Sequence, residues 1–169
     1  LKHRQFSKIT GMDTSYRTLE IAKERLFLDE ATGIKKQRIQ LIHGSLMYRD
    51  KRLDGYDAAV LSEVIEHLEP DRLGAFAKSL FGFSKPEMMI ITTPNSEYNQ
   101  LFDNYTPGTF RHADHRFEWT RQEFIDWVKT IEEQYDYEGT IKPIGEVDDN
   151  YGAPSQMVVF SKTSTLNSI

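Results

Sequence analysis

Short apolar runs of strand length alternate along the chain with longer stretches in which apolar residues recur at helical spacing. Helices are predicted from Ser15, over residues 71–81 and from Thr120 onward, where apolar positions 124, 127, 128 and 131 would form an inner face. Strands are predicted at residues 6–12, 39–43, 56–61, 88–93, 140–147 and 156–161. This order predicts an α/β fold with a mainly parallel sheet flanked by helices and an antiparallel strand at the carboxyl-terminal end.

The chain of 169 residues contains no cysteine and carries a net charge of -5. Disulfides and thiolate metal sites are therefore excluded, so a metal would be held by oxygen and imidazole nitrogen, and a cytoplasmic location is expected. The sequence has no apolar run of about 18 residues, which argues against a membrane span. The negative charge argues against a broad surface for duplex nucleic acid but is compatible with a small basic site at a nucleic-acid end.

Four candidate metal ligands stand in and near the segment 63–67. Glu63, Glu66 and His67 occupy positions i, i+3 and i+4, which share one face if the segment is helical, and His115 follows across a long loop. Two carboxylates and two imidazoles occupy about four sites of an octahedral divalent ion and leave two adjacent sites for water or a chelating substrate. The alternative is that the glutamates only favour the start of a helix and that both histidines are ordinary surface residues.

Polar residues also follow other predicted strands, at the edge where parallel α/β sheets bind ligands. Asp13 follows the first predicted strand and Ser45 follows the second. An acidic residue at such a position commonly accepts hydrogen bonds from the ribose hydroxyls of a nucleotide, although aspartate is also frequent in ordinary turns. The glycine-rich turn expected before the strand that ends at Asp13 is absent, because the chain starts only a few residues earlier.

These residues resemble the RNA 3′-terminal 2′-O-methyltransferases of the Hua-enhancer type, which modify small RNAs in eukaryotes and the ends of broken RNA during repair in bacteria. The resemblance extends over nearly the whole chain. It rests on five groups of residues: Gly11-Met12-Asp13, Gly44-Ser45-Leu46, Glu63-Val64-Ile65-Glu66-His67-Leu68, Thr93-Pro94-Asn95 with Tyr98-Asn99, and Asp114-His115-Arg116-Phe117-Glu118-Trp119-Thr120-Arg121.

The resemblance implies a Rossmann-like class I methyltransferase that uses S-adenosylmethionine together with Mn²⁺ or Mg²⁺. It implies that Asp13 binds the ribose of the methyl donor and that Ser45 and Leu46 border its adenine. The implied metal ligands are Glu63, Glu66, His67 and His115. The vicinal 2′ and 3′ hydroxyls of a terminal ribose can chelate such an ion, which would select the 3′ end of RNA as substrate, and His67 or His115 would accept the proton.

The resemblance also concerns the rest of the chain. Residues 1–169 are expected to form a single methyltransferase domain, a carboxyl-terminal fragment that lacks its first strand and glycine-rich loop. Arg111, Arg116 and Arg121 are candidates for RNA phosphate contacts. The alternative is a solvated loop with salt bridges to Asp114, Glu118 or Glu123. Phe117 and Trp119 are assigned to packing. The bacterial relatives imply, as a partner, an RNA end-healing kinase-phosphatase and ligase protein.

Two other functions stay open from the sequence. The pattern Glu-x-x-Glu-His is one substitution from the His-x-x-Glu-His pattern of inverted zinc peptidases, which would make the protein a metallohydrolase. The second is a binding module that caps RNA ends without methylating them. Zinc retention with peptide cleavage would favour the first, and tight binding of a 3′-terminal diol without turnover would favour the second.

Overall fold

Six strands and four α-helices build the described part of the computed structural model, which covers residues 5–103 and 105–163. The strands are β1 (Ile9–Asp13), β2 (Ile39–His43), β3 (Ala58–Ser62), β4 (Met88–Pro94), β5 (Tyr137–Ile144) and β6 (Ser155–Lys162). The α-helices are α1 (Tyr16–Arg25), α2 (Gly33–Arg38), α3 (Leu73–Ala77) and α4 (Arg121–Gln134). All six predicted strands are thereby confirmed, with shifts of a few residues at their ends.

The strands form two hydrogen-bonded groups. β1 and β2 pair in parallel, with Asp13 opposite His43 at their carboxyl ends. The other group has the order β3-β4-β6-β5, in which β3 and β4 run parallel. β6 is antiparallel to both β4 and β5, so the last strand of the chain inserts between two earlier ones. The predicted α/β architecture with an antiparallel strand at the carboxyl-terminal end is confirmed.

The core lies between the four-stranded sheet and the helices that cover it. Helix α4 turns its predicted apolar face inward, where Phe124, Val128 and Ile131 are buried, and it packs on β5. Gly139 of β5 permits this approach, because a Cβ atom there would lie 2.8 Å from Cγ1 of Val128. The largest fully buried apolar side chains are Phe76, Phe81, Phe124, Phe160, Ile65, Met89, Ile91, Ile131 and Val158.

The start of α4 is fixed by a capping box. The side chain of Thr120 accepts a hydrogen bond from the backbone nitrogen of Glu123, and the Glu123 carboxylate accepts one from the backbone nitrogen of Thr120. The cap therefore ends the long loop that precedes α4 at a defined residue. Ser15 caps α1 in the predicted way, since its hydroxyl accepts from the backbone nitrogen of Thr18.

Two helical regions differ from the prediction. The segment predicted as one helix over 71–81 consists of a 3₁₀ turn (Pro70–Arg72), the short α3, and a π-helical stretch (Lys78–Ser84). This stretch ends at Lys85, which adopts a left-handed conformation directly before Pro86, a residue that disfavours continued helix at the preceding position. Helix α2 is unpredicted because its six residues, largely basic and polar, show no apolar period.

No helix in residues 5–103 and 105–163 has the length and apolar character needed to cross a lipid bilayer. The cytoplasmic location stays a prediction.

Candidate metal centre

Three of the four predicted ligands converge at the carboxyl end of β3. Ligand atoms of Glu66, His67 and His115 all lie within 4.8 Å of one another. Glu66 and His67 belong to a single 3₁₀ turn (Ile65–His67) that follows β3, and His115 comes from the loop before α4. The backbone nitrogen of Arg116 donates to the backbone oxygen of Glu66 over 2.7 Å, so the loop is tied directly to the turn.

Glu66 has the environment of an unpaired buried carboxylate. Its side chain is fully buried, Oε2 accepts a hydrogen bond from the hydroxyl of Thr93 at 3.2 Å, and Oε1 has no partner in the described residues. Burial raises the pKa of Glu66 to about 7, and the negative charges of Glu63 and Glu118 add to this rise. A buried carboxylate oxygen without a donor is suited to a cation, which would supply the missing positive partner.

Both histidines are held through Nδ1 by carboxylates. Nδ1 of His67 lies 3.3 Å from Oδ2 of Asp114, and Nδ1 of His115 lies 2.5 Å from Oε1 of Glu118. The two rings meet edge to face, with centroids 4.9 Å apart. Since each Nδ1 is engaged, Nε2 is the nitrogen that remains for a metal or for a proton. The pair differs in exposure, because the side chain of His115 is 3% exposed and that of His67 is 38% exposed.

Glu63 lies outside this group, and the conditional expectation of a helix through residues 63–67 is wrong. Glu63 has a positive φ of 53°, which breaks the geometry that would place positions i, i+3 and i+4 on one helical face. Its Oε1 accepts a hydrogen bond from the hydroxyl of Thr92 at 2.9 Å. The structure therefore does not place Glu63 in the group formed by Glu66, His67 and His115. Its role as a fourth ligand stays a prediction.

The predicted donor-site residues lie at the carboxyl ends of β1 and β2. The backbone nitrogen of Gly44 donates to the backbone oxygen of Asp13 over 3.1 Å, which brings the two strand ends together. Oδ1 of Asp13 accepts from the backbone nitrogen of Ser15, whereas Oδ2 accepts no hydrogen bond in the described residues. Ser45 follows Gly44, and Leu46 is half-buried against the core. Asp13 and Ser45 thus share one edge, as predicted, and their roles in binding stay predictions.

The three predicted phosphate-binding arginines are engaged with the protein itself. The guanidinium of Arg111 is half-buried and donates to Oδ1 of Asn99 and to the backbone oxygens of Asn95 and Pro154. Arg121 binds the carboxylate of Glu97 and the backbone oxygen of Asn150, and exposed Arg116 lies 3.1 Å from Glu69. Arg116 and Arg121 therefore form salt bridges, but with Glu69 and Glu97 rather than with the acidic residues expected from the sequence. Phosphate contact by any of the three arginines stays a prediction.

Two polar residues of the site, Asn99 and Glu118, were assigned no role there from the sequence. Both are buried, and Asn99 donates through Nδ2 to Oε2 of Glu118 at 2.5 Å. The available signal was the three-residue spacing of His115 and Glu118, which is ambiguous in a loop. The assignment of Phe117 and Trp119 to packing is confirmed, since Phe117 is buried and Trp119 packs on the core.

The chain is similar in sequence and in fold to known RNA methyltransferases. No protein-family model matches the chain. The small RNA 2′-O-methyltransferase of Xenopus tropicalis is 42% identical over 130 residues, which are 75% of this chain and 35% of that protein. The solved methyltransferase domain of a bacterial Hen1 (CtHen1-C) is 50% identical and has a TM-score of 0.85, covering 96% of this chain and 81% of that chain. A solved Pnkp1/Rnl/Hen1 RNA repair complex contains a chain 26% identical to this one, with a TM-score of 0.64, covering 94% of this chain and 32% of that chain.

The extent of these similarities differs between the two kinds of relative. The chain spans about a third of the length of the curated relatives it matches. It covers four-fifths of the bacterial methyltransferase domain, and at about half identity this is a relationship of sequence as well as of fold.

Proposed function

The chain belongs to the family of the Hen1-type RNA 2′-O-methyltransferases, and on this premise we propose that it transfers a methyl group from S-adenosylmethionine to the 2′ hydroxyl of the 3′-terminal ribose of RNA. Its Rossmann-like methyltransferase fold is the one expected from the sequence. The observation that carries the proposal is the group formed by Glu66, His67 and His115 at the carboxyl end of β3. Ligands of open α/β sheets bind at such strand ends.

The residues present fit a divalent cation. They offer one carboxylate and two imidazoles with ligand atoms within 4.8 Å of one another, and Oε1 of Glu66 receives no hydrogen bond from the described residues. Oxygen and imidazole ligands suit Mn²⁺ or Mg²⁺, and the absence of cysteine removes thiolate competition. We include Glu63 as the proposed fourth ligand on the family relationship. Glu63 directly follows β3, at the same strand end as Glu66, and its negative charge adds to the rise in the pKa of Glu66. When bound, the ion would supply Lewis acidity that makes a hydroxyl a better nucleophile.

The chemistry of an RNA 3′ end matches this ligand set. A terminal ribose presents vicinal 2′ and 3′ hydroxyls, which form a bidentate ligand that an internal nucleotide lacks because its 3′ oxygen is esterified. DNA lacks the 2′ hydroxyl. The site would therefore select both RNA and its terminus through one contact. The 2′ hydroxyl proton would pass to the imidazole of His67 or His115. It would be accepted at a nitrogen that does not hold the ion, because one nitrogen cannot bind a metal and accept a proton at the same time.

The methyl donor is proposed to bind at the adjacent strand ends. Asp13 offers Oδ2 to the ribose hydroxyls of the donor, since only Oδ1 is used by a described residue, Ser15. Ser45 and Leu46 follow β2 at the same edge and are proposed to border the adenine. The two strands are parallel and are paired up to Asp13 and His43, so the polar residues at their carboxyl ends lie at one edge of the sheet.

Partners are proposed by the same family relationship. A Hen1 protein assembles with Pnkp1 and Rnl in a solved RNA repair complex. One chain of that complex is similar to 94% of the present chain. We propose an RNA end-healing kinase-phosphatase and ligase as the working partner. In this setting methylation would act on the 3′ end of RNA.

The metallohydrolase alternative loses its structural basis. The inverted zinc-peptidase pattern requires a helix that presents its first and last ligand on one face. Here the segment is a single 3₁₀ turn preceded by Glu63 in a left-handed conformation. The end-binding module without turnover is retained as the outcome of a failed transfer assay.

The testing experiment is labelled methyl transfer from S-adenosylmethionine to short RNAs that differ only at the 3′ nucleotide. The substrates carry a 2′,3′-diol, a 2′-deoxy end or a 3′-phosphate, and each is assayed with Mn²⁺ and with chelator. A longer version of the protein that adds a glycine-rich loop is assayed in parallel. Labelling only of the diol, only with Mn²⁺, supports the proposal. Labelling of the 2′-deoxy end, or no labelling by the longer version, contradicts it.

A further inference from the structure

Glu118 occupies a central place in the polar network behind His115. Its side chain is fully buried, and Oε1 lies 2.5 Å from Nδ1 of the His115 ring. Oε1 also accepts a hydrogen bond from the backbone nitrogen of Arg111 at 2.7 Å. Oε2 accepts from Nδ2 of Asn99 at 2.5 Å. Both oxygens are therefore acceptors, so the hydrogen shared with His115 belongs to the imidazole.

The carboxylate of Glu118 is itself fixed on the protein frame. Asn99 is oriented by Arg111, whose Nε donates to Oδ1 of Asn99 at 2.7 Å. Nη2 of Arg111 donates in turn to the backbone oxygens of Asn95 and Pro154, at 3.0 and 2.5 Å. Asn95 directly follows β4 and Pro154 directly precedes β6. The network thus connects the His115 ring to the ends of two central strands, which removes rotational freedom from the ring.

A protonated Nδ1 determines what the other ring nitrogen can do. When Nδ1 carries the hydrogen of the imidazole, Nε2 carries the lone pair. One ligand atom from each of Glu66, His67 and His115 lies within 4.8 Å of the other two. Since Nδ1 of His115 is engaged by Glu118, Nε2 is the nitrogen left for this group. Metal-binding histidines usually donate their second nitrogen to a carboxylate or a carbonyl, which fixes the tautomer and raises the basicity of the ligand.

We propose that Glu118 is a positioning residue that holds His115 as its Nδ1-protonated tautomer, with Nε2 presented to the proposed metal site. This inference rests on the proposed function, because it takes Nε2 of His115 to be a ligand of the proposed metal site. Asn99 and Arg111 keep the carboxylate in place, and Arg111 is thereby given a structural role beside the predicted contact with RNA. Glu118 would act through His115, and its own hydrogen bonds are with His115, Arg111 and Asn99.

The tautomer is measured directly, without metal and without substrate. The protein is labelled with ¹⁵N in histidine, and the two ring nitrogens of His115 are assigned by two-dimensional NMR at a single pH in chelator, with His115→Asn to identify the signals. We expect a protonated Nδ1 and an unprotonated Nε2. A hydrogen on Nε2 in the wild-type protein overturns the proposal, whatever the behaviour of the variants.

The effect on metal binding is measured by electron paramagnetic resonance of free Mn²⁺. We expect Glu118→Ala to weaken Mn²⁺ binding by about tenfold to a hundredfold, the range seen when such supporting partners of metal ligands are removed. The matched control is Glu133→Ala, which removes an exposed carboxylate near the carboxyl end of α4, away from the loop that carries His115. Equal Mn²⁺ affinity of Glu118→Ala and the wild-type protein contradicts the proposal.

A charge-swapped pair separates positioning from general destabilisation. In Glu118→Gln alone, the new amide NH₂ would face the NH₂ of Asn99. In the double variant Glu118→Gln with Asn99→Asp, the amide donates to the new carboxylate, which also accepts from Nε of Arg111. We expect the double variant to recover Mn²⁺ affinity lost in Glu118→Gln. Failure of recovery, with both variants unfolding as cooperatively as the wild-type protein, contradicts the positioning role.

The two proposals fail in different ways. If the longer version transfers no methyl group while the chain shows the expected tautomer and Mn²⁺ effects, the proposed function alone is contradicted. A chain that methylates RNA but whose His115 carries its hydrogen on Nε2 contradicts the role of Glu118 alone.

Discussion

The hydroxyl of Thr93 donates a hydrogen bond to Oε2 of Glu66 over 3.2 Å, and this contact joins the end of β4 to the turn that follows β3. It satisfies one oxygen of a fully buried carboxylate and leaves the other, Oε1, without a donor in the described residues. Burial therefore makes the charged form of Glu66 unfavourable at the place where the metal site is proposed. The consequences for stability and for metal binding are separately measurable.

The stability of the metal-free protein should depend on the protonation of Glu66. Its pKa is raised from 4.5 to about 7 by burial, so the folded state binds the proton more tightly than the unfolded chain. The contribution of protonated Glu66 to the free energy of unfolding is then fully present below pH 4.5 and is lost as the pH rises through about 7. At about 1.4 kcal/mol per pKa unit, the loss is on the order of 3 kcal/mol.

This dependence is measured by urea unfolding in chelator at several pH values between 4.5 and 8. Glu66→Gln should show a flatter pH profile than the wild-type protein, because its amide does not titrate. Glu133→Gln, at an exposed position of α4, is the control and should follow the wild-type profile. Identical pH profiles of Glu66→Gln and the wild-type protein would show that the pKa of Glu66 is not raised in the folded state.

Glu63 provides the test of the fourth ligand. If its carboxylate leaves Thr92 to bind the ion, Glu63→Gln should weaken Mn²⁺ binding by at least about tenfold, because an anionic ligand is replaced by a neutral one. Glu69→Gln removes a nearby exposed carboxylate that pairs with Arg116, and it should leave Mn²⁺ affinity unchanged. The Mn²⁺ affinity of each variant is measured by electron paramagnetic resonance titration. Equal Mn²⁺ affinities of Glu63→Gln and the wild-type protein would reduce the ligand set to Glu66, His67 and His115.

The packing of α4 on β5 predicts a stability loss at Gly139. A Cβ atom there would lie 2.8 Å from Cγ1 of Val128 and 3.1 Å from Phe160 and Val158, so Gly139→Ala overfills the interface. We expect a loss of about 1–3 kcal/mol in the free energy of unfolding. Gly74→Ala, where an added Cβ has no neighbour within 4 Å, is the control and should be neutral or slightly stabilising. Equal stability of the two variants would contradict the packing of α4 described above.

Much of the fold was predictable because its signals are local. Apolar runs identified the strands, and the capping box of Thr120 and Glu123 fixed the start of α4. The insertion of β6 between β4 and β5 could not be read, since strand order depends on contacts between residues far apart in sequence. The π-helical stretch Lys78–Ser84 was likewise hidden, because its sequence has the same apolar spacing as an ordinary helix.

The site was predictable in its chemistry and only partly in its geometry. Residue types and the family resemblance identified Glu66, His67 and His115, which the fold brings together. The left-handed conformation of Glu63 was not readable, because a non-glycine residue adopts it only when its surroundings impose it. The support of His115 by Glu118 depends on a loop whose path is set by tertiary contacts, which no periodicity encodes.

The most direct test of the central claim is whether the terminal ribose of RNA binds to an ion held by Glu66, His67 and His115. Electron paramagnetic resonance of the Mn²⁺-loaded protein is recorded with RNA whose 3′-terminal 2′ hydroxyl carries ¹⁷O, and again with unlabelled RNA. We predict line broadening by the labelled oxygen, and its loss in His115→Ala. If the labelled RNA is bound to the Mn²⁺-loaded protein and the Mn²⁺ lines are not broadened, the terminal ribose does not bind to the ion and the central claim is contradicted.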